Sequence, residues 1–174
     1  MKASPYRIPI ILALILVSIG CDQSSKYVVR DRIDDHDRIE VLGDYLILTK
    51  EENPGAFLGL GSELPEWARI VLLTILPSLV LLFAMWMALT RNDLPRLALL
   101  GLALVAGGGL GNVFDRIYYG TVTDFMHIDF GFMRTGIFNA ADVCITTGIS
   151  MILVSQFMEL KKKPPKENET PAVE

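Results

Sequence analysis

Residues 70–90 read Ile-Val-Leu-Leu-Thr-Ile-Leu-Pro-Ser-Leu-Val-Leu-Leu-Phe-Ala-Met-Trp-Met-Ala-Leu-Thr, a run without one charged side chain. A helix rises about 1.5 Å per residue and the hydrocarbon core of a bilayer is about 30 Å thick, so about 20 such residues cross it. The run is predicted to lie in a spanning helix from about Trp67 to Thr90. Of the 174 residues, 51% are hydrophobic and 21% charged, and the charges gather into clusters between long apolar stretches. That segregation marks a chain that crosses a membrane several times and excludes an ordinary soluble domain. The net charge of −4 mixes the two sides of that membrane and carries little meaning.

Four spans are predicted, at about 8–29, 67–90, 97–114 and 136–158. Ile8 to Cys21 is uncharged but only 14 residues long. The first helix must therefore continue through Asp22, Gln23, Ser24, Ser25 and Lys26 towards Val29. Asp22 and Lys26 are four apart, share a face and can pair. Ser18-Ile19-Gly20-Cys21 also resembles a lipoprotein cleavage box. Ser18 stands where such boxes carry a large aliphatic residue, and removal would leave three spans, so retention of the segment is expected. Lys2 and Arg7, Arg91 and Arg96, and Lys161, Lys162, Lys163 and Lys166 all fall on one side of a four-span chain. The excess of basic residues predicts that side, with both termini, to be cytoplasmic.

The segment from Arg30 to Glu66 falls on the other side, with four basic and ten acidic residues. Within it, Arg38 to Lys50 has the β-branched and aromatic content of strands, turning at Gly43-Asp44. Val122 to Phe130 suggests another strand. Leu64 to Arg69, with Pro65, suggests a short lead-in to span two. Residues 1–163 are read as one membrane-embedded domain, and 164–174 as a disordered cytoplasmic tail.

Two aspartates carry the chemistry. Asp124 follows Gly120-Thr121-Val122-Thr123, and Asp142 ends Phe138-Asn139-Ala140-Ala141-Asp142 at the head of span four. A carboxylate at membrane depth costs roughly 2.5–3.5 kcal/mol or more, so it calls for a function. Two facing carboxylates share a proton, and one can act as acid while the other draws a proton from water. No serine or cysteine nucleophile is then needed. Ser24 or Ser25 with Lys26 would lie on different faces of one helix. Asp124, His127 and Asp129 are the best available metal set, with too few ligands at the spacings zinc requires. Gly107 to Gly111 closes a helix rather than opening one, which argues for close packing and against phosphate binding. Asn53-Pro54-Gly55 reads as a turn. Asp115 can be either a solvated interfacial charge or part of a site. Cys21 and Cys144 are expected to be unpaired. The residues alone leave a small proton-coupled carrier open beside an enzyme. Carriers often show internal repeats, and none relates spans one and two to spans three and four.

Five motifs in order resemble lipoprotein signal peptidase, the signal peptidase II family of bacterial inner-membrane aspartic peptidases. They are Asp22-Gln23-x-x-Lys26, Asn53-x-Gly55-Ala56-Phe57, Gly111-Asn112-x-x-Asp115-Arg116, Val122-x-Asp124-Phe125 and Phe138-Asn139-x-Ala141-Asp142. The resemblance covers nearly the whole chain. It implies four transmembrane helices with a small extracytoplasmic β-cradle and a short periplasmic helix over the cleft. It implies cleavage of prolipoproteins before a diacylglyceryl-modified cysteine, with Asp124 and Asp142 as the catalytic pair and the site towards the periplasm. Asp22, Lys26, Asn53, Gly55, Asn112, Asp115, Arg116 and Asn139 fall on positions that line or support the site. Asn112 and Asn139 would hold substrate backbone or orient an aspartate. Arg116 would anchor Asp115 or a substrate carbonyl, and Asp22 with Lys26 would form a structural pair. The resemblance further implies no metal or cofactor, contact with membrane lipids, inhibition by globomycin, no nucleic acid and a monomeric enzyme. The charged stretch Arg30 to Arg38 and the segment 131–135 depart from it.

Overall fold

The computed structural model describes residues 6–35 and 37–162. Among the described residues, four helices have the length and apolar content to cross a membrane. They are α1 (Arg7–Arg32), α2 (Glu66–Thr90), α3 (Arg96–Tyr118) and α4 (Ala140–Lys162). A three-stranded antiparallel sheet, order β1-β2-β3, comprises β1 (Ile39–Glu40), β2 (Leu46–Asn53) and β3 (Val122–Ile128). The β1–β2 turn crosses Gly43, whose φ of 53° suits a residue without Cβ. β2 runs three residues past the expected Lys50. In place of the short helix expected over the cleft stands a tight turn, Phe57–Gly59, with Leu58 in the left-handed region at φ 58°. The predicted tail, Lys2, Lys163 and Lys166 lie outside the described residues.

The helices differ from the expected spans mainly at their ends. α1 and α3 run to Arg32 and Tyr118, beyond the expected 29 and 114. α4 begins at Ala140 and not at 136, because Phe138 bridges Met126 of β3 and Asn139 starts the helix. Asn139 Oδ1 accepts the Asp142 N–H (3.0 Å), and Asp142 Oδ2 accepts the Asn139 N–H (3.1 Å). This reciprocal cap satisfies two free amides and places a carboxylate at the positive end of the helix. The Glu66–Arg69 lead-in merges into α2, which widens to a π-helix over Ile70–Ile75. The cause is Pro77, which has no N–H for the carbonyl of Leu73 and crowds it.

α3 is the most enclosed helix. Its small residues let the other helices approach closely. A Cβ on Gly101 would lie 2.6 Å from the carbonyl oxygen of Gly148 on α4, and one on Gly107 would lie 2.6 Å from Ser18 Cβ on α1. Without a hydrophobic force between helices in lipid, such backbone contact supplies the packing. Ile11, Ile15, Ala88, Ala103 and Ala106 form the core within the spans. Val29, Ile33 and Phe125 form a second cluster, which seats β3 on the end of α1. Arg7 donates to the carbonyls of Ala88 and Arg91, so the start of α1 caps the end of α2. Cys21 and Cys144 are unpaired.

The packing makes a paired prediction. Gly148→Val should lower the thermal midpoint in detergent, with overpacking of about 1–3 kcal/mol. Gly20→Ala, where a Cβ meets nothing within 4 Å, should leave the midpoint in place.

Candidate active site

The site grows from one face of α1. Asp22, Lys26 and Arg30 recur every four residues, so they stack on the side turned to α3. Lys26 is completely buried. Its Nζ lies 2.9 Å from Asp22 Oδ2 and 2.8 Å from Asp115 Oδ2, and donates to Asn112 Oδ1 at 2.9 Å. Gln23 Nε2 joins the two carboxylates, 3.0 Å from Asp22 Oδ2 and 3.0 Å from Asp115 Oδ1. Asp22 Oδ1 accepts the Ala141 N–H at 2.9 Å, which ties the start of α4 to α1. The expected Asp22–Lys26 pair therefore forms, as part of a larger set.

From Asn112 the network passes to the aspartates. Asn112 Nδ2 donates to Asp142 Oδ1 at 2.9 Å. Asn139 Nδ2 donates to Asp124 Oδ1 at 2.6 Å, while the Asn139 backbone N–H binds Asp142. One residue thus touches both carboxylates. From β2, Asn53 Nδ2 donates to the other Asp124 oxygen at 2.9 Å and to the Ala56 carbonyl at 3.0 Å. Asn53 Oδ1 accepts the Gly55 N–H, which makes Asn53-Pro54-Gly55 a side-chain-closed turn as well as part of the site. Arg116 Nη2 donates to the Gly55 carbonyl at 2.7 Å. A Cβ at Gly55 would sit 2.6 Å from the Gly59 carbonyl, so only glycine fits this turn.

Asp124, Asp142, Asn53, Asn112 and Arg116 line one cavity of about 190 Å³, together with the apolar Phe57, Leu58, Leu73 and Pro77. A second, mostly apolar cavity of about 200 Å³ lies between α2, α3 and α4. It shares Pro77, Asn112 and Arg116 with the first. Burial pushes the Asp124 carboxyl up to about 6. The neighbouring Asp142 charge acts in the same direction, and hydrogen bonds from Asn53 and Asn139 oppose it. His127 pairs with Ile47 across the ladder, and Asp129 holds Arg134 at 2.7 Å.

Two expectations are corrected. Asp115 is not a solvated interfacial charge. It is fully buried and bound by Lys26 and by Arg30 Nη2 at 3.0 Å. Arg116 does not reach Asp115, since adjacent helical residues point about 100° apart, and it holds the Gly55 turn instead. The sequence alone assigns no role to Arg30, Thr123 or Glu52. The four-residue spacing of Asp22, Lys26 and Arg30 is the signal for the first of these. Thr123 and Glu52 join only through the strand register.

Because Lys26 neutralises two buried carboxylates, Lys26→Met should lower folding stability by about 3–5 kcal/mol, the range for breaking a buried pair. Thermal unfolding in detergent checks this. Adding Asp22→Asn and Asp115→Asn should restore part of the loss.

A family model for signal peptidase II matches residues 14–158. The chain is 32% identical to the lipoprotein signal peptidase of Haemophilus ducreyi over 87% of this chain and 93% of that protein. It is 33% identical to that of Treponema denticola over 90% and 94%. It is 38% identical to that of Aquifex aeolicus over a shorter stretch, 60% of this chain and 62% of that protein. A solved bacterial membrane enzyme structure, determined by the in meso method at 2.3 Å resolution, superposes with a TM-score of 0.80 at 25% identity, covering 92% of this chain and 94% of that one. The chain is a membrane protein and belongs to the signal peptidase II family of peptidases.

Proposed function

We propose that the protein removes signal peptides from prolipoproteins at the bond before a diacylglyceryl-modified cysteine, using water activated between Asp124 and Asp142. The observation that carries this reading is Asn139, which binds both carboxylates at the wall of one cavity. The reading extends to a bacterial inner membrane, cytoplasmic termini and a site towards the periplasm. Tyr27, Trp67, Tyr118 and Tyr119 are exposed near the helix ends on the sheet side, where aromatic side chains favour an interface. A carrier has no specific support once the family is known.

The chemistry follows from the charges. The shielded network holds four carboxylates, Asp22, Asp115, Asp124 and Asp142, and three cations, Lys26, Arg30 and Arg116. One added proton makes it neutral, and Asp124 is the group outside the spans whose carboxyl is raised. In this mechanism Asp142 takes a proton from water as the water oxygen attacks the scissile carbonyl carbon. Asp124 gives its proton to the carbonyl oxygen. The resulting diol collapses, returns a proton to Asp124, and breaks the C–N bond as Asp142 protonates the leaving amine. Arg116 stays on the Gly55 carbonyl and shapes the cavity rim. Asn139, fully buried, holds the aspartates, while Asn112 holds Asp142 and lines the cavity, where it faces substrate amides that would be costly to bury unpaired. The apolar cavity next to Pro77 offers a dry surface for the signal helix, with the lipid chains left in the bilayer. Globomycin would compete for the same cleft.

Asp124→Asn and Asp142→Asn should each leave an inserted, folded protein whose cleavage of a lipidated prolipoprotein, read by gel shift, falls by about 10²–10⁴-fold. Near-parental turnover in either variant rules out the pair. Asp124 also sets a pH signature. Its folded carboxyl binds a proton more tightly than the unfolded one, so stability from this group declines as pH rises from the ordinary value of 3.8 through about 6. The acid form is required for turnover, so kcat/KM should fall on the alkaline side with a midpoint near 6. A midpoint in the ordinary carboxylate range excludes Asp124 as the acid.

A further inference from the structure

Thr123 immediately precedes Asp124 and is fully buried. Successive strand residues face opposite ways, so Thr123 lies on the side of β3 away from the cleft. Phe125 shares that side and packs on Val29 and Ile33 of α1. Two elements, α1 and β2, grip the Thr123 hydroxyl. Arg30 Nε of α1 donates to Oγ1 at 2.8 Å. Oγ1 donates in turn to Glu52 Oε1 of β2 at 2.8 Å, across a directly paired position of the ladder. The second Glu52 oxygen accepts from Thr121 Oγ1 at 2.6 Å. Arg30 is itself fixed by Asp115 of α3 and by the ring of Tyr119, just past the end of α3, 3.9 Å beneath its guanidinium.

The arrangement mirrors the route to the other aspartate. Lys26 reaches Asp142 through the side chain of Asn112. One turn further along α1, Arg30 reaches the residue beside Asp124 through a hydroxyl. Thr123 occupies the open position of Val122-x-Asp124-Phe125, so the motif itself does not call for it.

We infer that Thr123 is a positioning residue, clamped by Arg30 and Glu52 so that β3 holds the Asp124 carboxylate against Asn53 and Asn139. The inference rests on the reading of Asp124 as catalytic. Both hydrogen bonds to Thr123 involve a charged partner, the stronger class. The clamp acts on the back of the strand and touches no substrate. Its effect falls on kcat, since the pocket walls that bind substrate are unchanged while the reacting carboxylate shifts.

The test uses the full-length protein in detergent with a lipidated prolipoprotein. Thr123→Val keeps the volume and β-branching and removes the hydroxyl, and Thr123→Ser keeps the hydroxyl. Thr123→Val should lower kcat by about tenfold with KM close to the parent, and Thr123→Ser should recover most of the rate. Glu52→Gln, at an exposed position that leaves the core intact, should lower kcat in the same direction with a parental thermal midpoint. Equal turnover of the Val and Ser variants, or a change confined to KM, overturns the clamp. Asp124→Asn is assayed beside them: retained turnover there overturns the catalytic reading beneath the clamp, and with it the clamp.

Discussion

A single ammonium group, Lys26 Nζ, sits wholly out of solvent among Asp22, Asp115 and Asn112, and the rest of the site depends on it. Placing a charge there is expensive unless it is paired and hydrogen-bonded. The chain meets that condition by bringing three helices together. Asp22 comes from one turn before Lys26 on α1, and Asp115 and Asn112 from α3. Asp22 in turn holds the backbone at the start of α4. A pairing that satisfies one buried cation therefore also sets the register between α1, α3 and α4. Backbone contact at the glycines of α3 makes that close approach sterically possible.

The same network explains how two more carboxylates persist beside it. Asp142 is held by a helix N-terminus and by Asn112, and Asp124 by two asparagine side chains. Neutral amides satisfy the oxygens without cancelling the charge, so the carboxylates remain available for proton transfer. Had Lys26 or Arg116 paired with them directly, each carboxylate would be held ionised and made a weaker base. The cations instead stand one residue away, on Asn112 and on the Gly55 turn.

Much of this is legible in the residues. Spans two and three follow from uncharged length, and span one from the need to carry Asp22 and Lys26 inside the helix. Asn139-x-x-Asp142 is a capping pattern that marks the helix start, a signal that reading span four from 136 passes over. What the residues do not reveal is what depends on tertiary register. Nothing near Asp115 in the chain shows that it is buried, because its partners are more than eighty residues away. Thr123 and Glu52 meet through the pairing of β2 with β3, which includes a register shift between Leu48 and Glu51 that no sequence pattern announces. The π segment of α2 is foreseeable from Pro77, but its extent is not.

We propose that, below a pH of about 6, one proton held at Asp124 balances the buried charge network. Infrared difference spectroscopy of the membrane-reconstituted protein, titrated through a pH of about 6, measures it most directly. The expected spectrum holds a protonated carboxylic acid band that fades as pH rises through that value and is missing from Asp124→Asn. A band that persists in Asp124→Asn, or no such band on the acid side, would contradict it.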